Sequence, residues 1–429
     1  MRVGPVSVSV RDGIVERSAP VDWTGGDAIL WVRGGAEVMD PTGDVTGFAA
    51  VALPVAMRLG EELWIEGPVS PLFADRGIEA VRAIYEAWDP RARSVKVHAT
   101  RSASGVASGV PACVFSRGVD SLYTAVRDRI GDRRFGALLF IDGLEPRHGE
   151  EVRAGELLHA RHLADQLRMP LITASTNVRS FTDSLGWDWA DILAAGLSCV
   201  AHNVAGAIES LCIASADDYA TLGPNGSHPL LDRHYSSERV AIEHDTVATS
   251  RTEKVRCIVE QRPELLGGLK VCFAEDRTDN CGRCSKCLLT MVLLHHCGAL
   301  AAATGFPDAI DPDAIRRLRL PHLPARIQWS TAGRALGTTG EDDRLRVAIA
   351  EMLAASALTR PTTNGGHAGP WQAAHQMRDH HLNRTLSLVV DGVAYEPMDD
   401  PPATGAAMAP ESVIRPAGDR DAEPPPRPA

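Results

Sequence analysis

Short apolar runs and stretches with helical spacing alternate along this chain, and their character changes near residue 105. Upstream, VSVSV and AILWVR read as strands, and ELWIEG and SVKVHA as two shorter ones. Between the last two, Ile78, Val81, Ile84, Tyr85 and Trp88 recur at helical spacing across residues 74–88. These elements predict a separate N-terminal α+β domain over residues 1–105, closed by the Gly/Ser linker RSASGVASGVP. Downstream, strands and helices take turns. ACVF is followed by a helix from about Ser121, ALLFID (137–142) by a helix over roughly 150–168, and PLITAS (170–175) by a helix over about 187–206 that leads into SLCIAS (210–215).

Continuous apolar strands alternating with helices predict an α/β fold built on a parallel sheet covered on both faces. Its crossovers are right-handed, and its ligand cleft lies beyond the carboxyl ends of the strands. The loops after Phe115, Ile141, Ala174 and Ala214 then line one cleft. Residues 301–360 read as a helical extension through AIRRLRL and RLRVAIAEMLAASAL. The Pro- and Gly-rich residues 361–429 read as a largely disordered tail, in which VVDGVAYEP makes a hairpin through Asp391-Gly392.

Composition narrows the class. With 429 residues there is room for two or three domains, and 44% apolar with 23% charged residues is ordinary for a soluble protein. A net charge of -11 argues against a general nucleic-acid or membrane-surface binder. No apolar run reaches the ~18 residues of a transmembrane helix, and the start MRVGPVSVSVRDG lacks the apolar core of a signal peptide. Nine cysteines, four grouped and five scattered, suit a reducing cytosol and so a cytoplasmic protein.

The grouped cysteines are Cys272, Cys281, Cys284 and Cys287, in CFAEDRTDNCGRCSKC. Two-residue gaps let sulfurs converge on one ion when a small residue such as Gly282 turns the chain tightly. Four thiolates fill a tetrahedral zinc site and leave no open position, so the expected role is a structural staple. An iron–sulfur cluster and buried free thiols are the alternatives. A second feature follows the first strand of the alternating region. Cys113-Val114-Phe115 runs into Ser116-Arg117-Gly118-Val119-Asp120-Ser121 and then a helix, the arrangement that offers free N–H groups and a positive dipole end to an anion. Ser116 and Ser121 add hydroxyls, and Gly118 admits close approach. Asp120 repels phosphate unless a cation intervenes, which points to Mg²⁺. The competing reading is an ordinary turn with Ser and Asp as caps.

The two features resemble one family together. SRGVDS is similar to the SGGxDS loop of the N-type ATP pyrophosphatases (PP-loop proteins of the HUP superfamily), and the 7-cyano-7-deazaguanine synthases among them also carry a C-x8-C-x2-C-x2-C zinc site downstream. The resemblance covers about residues 110–300. It implies a Rossmann-like HUP domain over residues 106–300, in which Ser116, Arg117, Gly118, Val119, Asp120 and Ser121 hold ATP phosphates with Mg²⁺ and Asp142 meets the ribose. It also implies an ATP-dependent ligase. A small-molecule substrate attacks the α-phosphate, pyrophosphate leaves, and ammonia traps the adenylate. Asp120, Ser121, Lys254 and His228 form the candidate catalytic set, with Arg251 as a further cation. No glutaminase domain is evident, so ammonia comes free or from a donating partner protein, and a homodimer is compatible. Sulfur transfer by the same adenylation, which needs a cysteine near the cleft, and a non-catalytic nucleotide-binding scaffold remain the alternatives. Arg117 stands where the family has its first loop glycine, and its side chain there either obstructs the nucleotide or adds charge to a phosphate.

Other polar groups complete the expectations. The loop after the fourth strand carries Asp217, Asp218, Asn225, Ser227, His228, Asp232 and His234. Ser227, His228 and Asp232 are second-site candidates, against a role in shaping the loop. Asn177 and Arg179 either reach the cleft or cap a helix. His295-His296 beside Cys297 fits helical burial better than a second metal site, and Cys113, Cys199, Cys212 and Cys257 read as core.

Overall fold

Asp12 and Gly13 both adopt positive φ, 50° and 77°, and this two-residue turn joins the first long antiparallel pair. The computed structural model describes residues 1–102, 105, 107–130, 135–145, 148–272 and 277–358, and the strand pairs 389–390 and 393–394. The strands are β1 (Arg2–Val3), β2 (Ser7–Arg11), β3 (Ile14–Trp23), β4 (Gly26–Gly35), β5 (Leu63–Val69), β6 (Val97–Arg101), β7 (Val110–Val114), β8 (Ala137–Asp142), β9 (Leu171–Thr176), β10 (Ile208–Ile213) and β11 (Ala241–His244). The helices are α1 (Thr46–Leu59), α2 (Ile78–Trp88), α3 (Val119–Ile130), α4 (Glu150–Leu167), α5 (Val178–Ser184), α6 (Leu193–Asn203), α7 (Arg251–Gln261), α8 (Ser285–His296), α9 (Pro312–Arg317), α10 (Leu323–Ala335) and α11 (Gly340–Leu358). Val389–Val390 and Val393–Ala394 pair as β12 and β13, flanking Asp391-Gly392 as the turn signal predicts, in a second unit over Leu382–Ala429. The rest of the expected disordered tail lies outside the described residues.

Strands β1–β11 form one mixed, largely parallel sheet ordered β11-β10-β7-β8-β9-β4-β3-β1-β5-β6, with β2 on β3. From β11 to β9 every pairing is parallel. Alternate side chains of these strands serve two cores. Ala112, Leu139, Ile141, Leu211 and Ile213 face α1 and α6, whereas Cys113, Leu138, Phe140 and Cys212 face the layer of α3, α4, α7 and α8. Burial on both faces accounts for the continuous apolar runs.

The expected boundary at residue 105 does not divide the sheet. β4 runs antiparallel to β9, pairing Val32, Arg33 and Gly34 with Thr176, Ser175 and Ala174. Helix α1 enters the same core as α6, so the N-terminal segment completes the α/β layer and is not a separate domain. The 187–206 helix is divided: α5 ends at Ser184, a short 3-10 turn covers Trp189–Asp191, and α6 begins at Leu193.

One buried charge network ties β3 to the far layer. Arg17 is fully buried, and it donates to Asn203 Oδ1 at 2.8 Å, Asp40 O at 2.7 Å and Asp44 O at 2.8 Å while pairing with Asp40 Oδ2 at 3.2 Å. Arg239 pairs with the other Asp40 oxygen and donates to Ala205 O at 3.2 Å. Desolvation pushes the Asp40 carboxyl up, but the Arg17 charge and the Arg239 and Thr42 hydrogen bonds outweigh it and hold the pKa below the usual value. Asp40→Ala leaves two guanidinium groups short of their counter-ion and should cost about 3–5 kcal/mol in urea unfolding. Arg33, paired with Glu16 on the surface at 2.6 Å, should cost under about 1 kcal/mol when replaced by Ala. Because the folded pKa of Asp40 lies below the unfolded one, its contribution is complete above pH ~4 and lost as pH falls through the folded value. Acid unfolding of Asp40→Asn should therefore be less steep below pH ~4.

Candidate functional site

Counting only the five parallel strands in chain order, the sheet reads 3-2-1-4-5, so the chain leaves neighbouring β7 and β10 in opposite directions. Such a reversal opens a crevice at the strand ends. The loop from β7 to α3 and the loop after β10 meet there, and α7 brings two cations to them. Asp120, in the first turn of α3, accepts from Arg251 Nη2 at 2.7 Å and from Lys254 Nζ at 3.0 Å. Lys254 also donates to Ser215 O at 2.6 Å, and its side chain is only 3% exposed. The Ser250/Glu253 capping box fixes the start of α7, so Arg251 and Lys254 project from one well-defined turn. Beside them, burial raises the Asp217 pKa, with a hydrogen bond from Thr221 and the Arg251 charge opposing it. The crevice thus holds two carboxylates and two cations in contact or nearly so.

The loop closes on itself through its serines. Ser121 Oγ accepts from Ser116 N at 3.2 Å and lies 3.2 Å from Ser116 Oγ. Ser116 Oγ accepts from Gly118 N at 3.4 Å. Arg117 has φ +63°, the left-handed conformation that a glycine adopts freely and that costs a larger residue about 1–3 kcal/mol. Its guanidinium points away from the crevice. It is 2% exposed, pairs with Glu156 Oε2 at 2.7 Å and donates to Gly268 O at 3.3 Å. Both expectations for this side chain, obstruction of a nucleotide and direct charge on a phosphate, are therefore replaced by a third arrangement: the backbone keeps the glycine geometry while the side chain anchors inward. Val119 is buried beneath the loop.

The remaining candidates fall into three places. Asp142, ending β8, lies 3.6 Å from Arg153 and stays partly exposed at the carboxyl end of the sheet. Arg179 pairs with Glu145 at 3.1 Å over the same loop. Asn177 does not enter the cleft. Its amide accepts from Trp31 N at 2.9 Å and donates to Ile29 O at 2.8 Å, fastening β4 to the end of β9. Asp232 is fully buried and braces its own loop, accepting from Ser227 Oγ and His228 N at 2.8 Å each and meeting His244 Nδ1 at 2.8 Å. The His228 ring packs edge-on against Trp88 and accepts from Leu230 N at 3.0 Å, and burial lowers its pKa. Among the described residues, no hydrogen bond or ion pair links this group to Asp120. His295 and His296 sit on α8 as expected, but neither is buried there: His296 is exposed, and half-buried His295 pairs with Asp342 at 2.7 Å. Cys113, Cys199 and Cys212 are fully buried, as core thiols should be, whereas Cys257, read as core with them, is only half-buried.

The four grouped cysteines come together. Their sulfurs all lie within 4.8 Å of one another, and this is the one such group among the described residues. Cys281 and Cys287 are 3.8 Å apart. Sulfurs ~2.3 Å from a tetrahedral zinc lie roughly 3.8 Å apart, so the set fits the ion. Gly282 supplies the turn at φ +66°, where a side chain would also strike the Pro307 ring. Asn280 holds the approach, its Oδ1 accepting from Val271 N at 2.9 Å and Cys272 N at 3.2 Å. A hydrogen bond from Cys287 lowers the Cys284 pKa to about 5, with burial opposing it, while the same bond raises that of Cys287. The cluster can therefore hold a metal such as zinc.

No protein-family model matches the chain, and neither does any curated protein or solved structure. No helix among the described residues is long and apolar enough to cross a membrane. Sequence reasoning missed Glu156, Lys270 and Lys286. The first two are joined to the loop only through the fold. Lys286 lies between two of the cysteines, and desolvation and then the Arg251 charge lower its pKa to about 8. Lys286 is exposed, with Arg251, Asp120, Glu145 and Cys284 as the charged or titratable groups around it. Purified protein should contain about one zinc per chain by elemental analysis, and Cys287→Ser should lower both zinc content and melting temperature. Iron with visible absorbance would replace zinc by a cluster.

Proposed function

We propose that this chain is an ATP-dependent, AMP- and pyrophosphate-forming ligase with a Rossmann-like HUP fold, similar to the N-type ATP pyrophosphatases. The observation that carries the reading is the meeting of Asp120, Lys254 and Arg251 at the reversal of the parallel sheet, directly beside the SRGVDS loop, in which Arg117 takes a glycine-like positive φ. Free N–H groups at the start of α3, two serine hydroxyls and two cations make an anion site of the size of a diphosphate. Asp120 and phosphate oxygens together are the hard oxygen ligands that Mg²⁺ takes. Arg251 and Lys254 then exchange one anionic partner for another, from the carboxylate to the phosphates.

In this reading the loop holds the leaving pyrophosphate while a substrate oxygen attacks the α-phosphate, and Lys254 and Arg251 stabilise the charge that builds on the departing group. Ammonia is the favoured nucleophile for the adenylate, whether free or from a partner. A sulfur carrier would need an accessible thiolate at the crevice. Cys113 and Cys212 are buried in the core below it, and burial raises the pKa of Cys199, Cys257 and Cys297. The four-cysteine site has no open position and serves structure. Asp142, at the end of the next strand, suits a ribose hydroxyl, while His228, buried against Trp88, shapes the loop after β10.

Calorimetry with α,β-methylene ATP and Mg²⁺ tests the reading. Zinc-loaded protein should bind at micromolar affinity. Lys254→Met and Ser121→Ala should each weaken binding about tenfold or more, equivalent to ~1.4 kcal/mol or above. A folded, zinc-loaded protein that binds neither this analogue nor ATP would overturn it.

A further inference from the structure

The loop that begins α3 rests on the segment that leads into the metal site. Lys270 N donates to Arg117 O at 3.0 Å, and a Cβ on Gly118 would lie 3.8 Å from Lys270 O. Arg117 returns the contact through its side chain, to Gly268 O at 3.3 Å and to Glu156 Oε2 at 2.7 Å. Cys272 is two residues beyond Lys270. The Lys270 ammonium donates to Arg277 O at 2.7 Å and Asp279 O at 3.0 Å and stands 3.8 Å from Glu156 Oε1. Asn280 then ties Val271, Cys272 and Leu269 together from the other side. Residues 268–272 and 277–281 therefore make one hydrogen-bonded body with Cys272 near one end and Cys281 at the other.

Arg117, Glu156 and Lys270 are nearly dry, at 2%, 14% and 6% side-chain exposure. Such a group keeps its geometry only where the surrounding backbone holds it, because each charge loses its partner when the chain moves. A left-handed arginine needs the same support. A metal that clamps Cys272 to Cys281 supplies it.

We propose that Arg117 is a positioning residue that couples metal binding at the four-cysteine site to the shape of the phosphate loop. A glycine at this position would reach the same φ with no tether. The arginine accepts strain and gains a fixed link through Glu156 and the 268–272 backbone. Zinc then preorganises the Ser116–Ser121 loop, and a phosphate ligand in the loop tightens zinc by the same factor. The coupling of metal to loop stands on the contacts above. Its extension to nucleotide rests on the function proposed in the preceding subsection.

Hydrogen exchange of the full chain tests the first part. Stripping zinc should speed exchange across residues 115–122 about tenfold, within the usual range of coupling between sites, while β8 keeps its protection. Zinc-loaded Arg117→Gly and Glu156→Gln should show the fast loop with zinc content unchanged. Arg117→Lys, which keeps a cation for Glu156, should fall between. If the metal-free protein unfolds as a whole, the zinc-loaded variants decide. Unchanged loop exchange in both Arg117→Gly and Glu156→Gln would sink the proposal. For the second part, α,β-methylene ATP with Mg²⁺ should slow zinc transfer to a chromophoric chelator about tenfold in the wild type and not in Arg117→Gly. Analogue that binds without slowing zinc transfer overturns the coupling and leaves the ligase reading intact. Analogue that does not bind at all overturns the ligase reading and leaves the exchange result to judge the metal–loop link.

Discussion

A parallel sheet of five strands leaves the backbone of its outer strands unpaired, and the architecture here depends on how the β9 edge is closed. An unpaired edge is a template for association with other chains. β4 covers it over Val32–Gly34, and the Asn177 amide extends the seam to Trp31 and Ile29. The reversal in strand order has a second consequence. Helices α3 and α4 both fall on one face, which leaves α6 to cover the other. Helix α1 fills that deficit, and the Arg17–Asp40–Arg239 network locks the join from β3 across to the segment just before β11. The N-terminal segment is thus part of the frame that sets the strand ends, and so of the crevice.

Charge balance shapes the crevice in the same way. Asp120 sits between Arg251 and Lys254, and Lys254 keeps a carbonyl partner in Ser215. Arg251 and Lys254 share the crevice with Asp120 and with Asp217, whose pKa burial raises. Arg117 adds no charge there, because Glu156 neutralises it beneath the loop. Positive charge is thus placed by α7 on the open side, and the loop itself contributes hydroxyls and backbone.

Local signals were legible in the chain. ALLFID coincides with β8, and the cysteine spacing predicts a cluster that the fold assembles. Asp120 and Lys254 were legible as separate candidates, but their contact spans 134 residues and follows only from the packing of α3 on α7. Helix α1 was hidden because TGFAAVALPVAMRL is apolar on every side and contains Pro54, so it shows no helical period. β3 was hidden by Arg17 and Pro20 within its alternation. The Arg17 position is polar because the network beneath it is polar, which no periodicity reports. The false boundary at residue 105 has the same origin: composition marks the linker, while the β4–β9 seam that crosses it is non-local.

Arg117 illustrates what a motif records. The family pattern has glycine there because the turn requires positive φ and room for phosphate. Those are two separate requirements, one on the backbone and one on the space above the loop. An arginine can meet the first at the cost of strain and the second by turning its side chain beneath the loop, provided something below receives it. Glu156 and the Gly268 carbonyl do so. Arg117 thus combines a glycine-like backbone with a side chain received by Glu156 and by the segment that leads into the cysteines. Arg117 and Gly268, 151 residues apart along the chain, become neighbours because α7 packs on α3 and the segment after it returns to the end of β7.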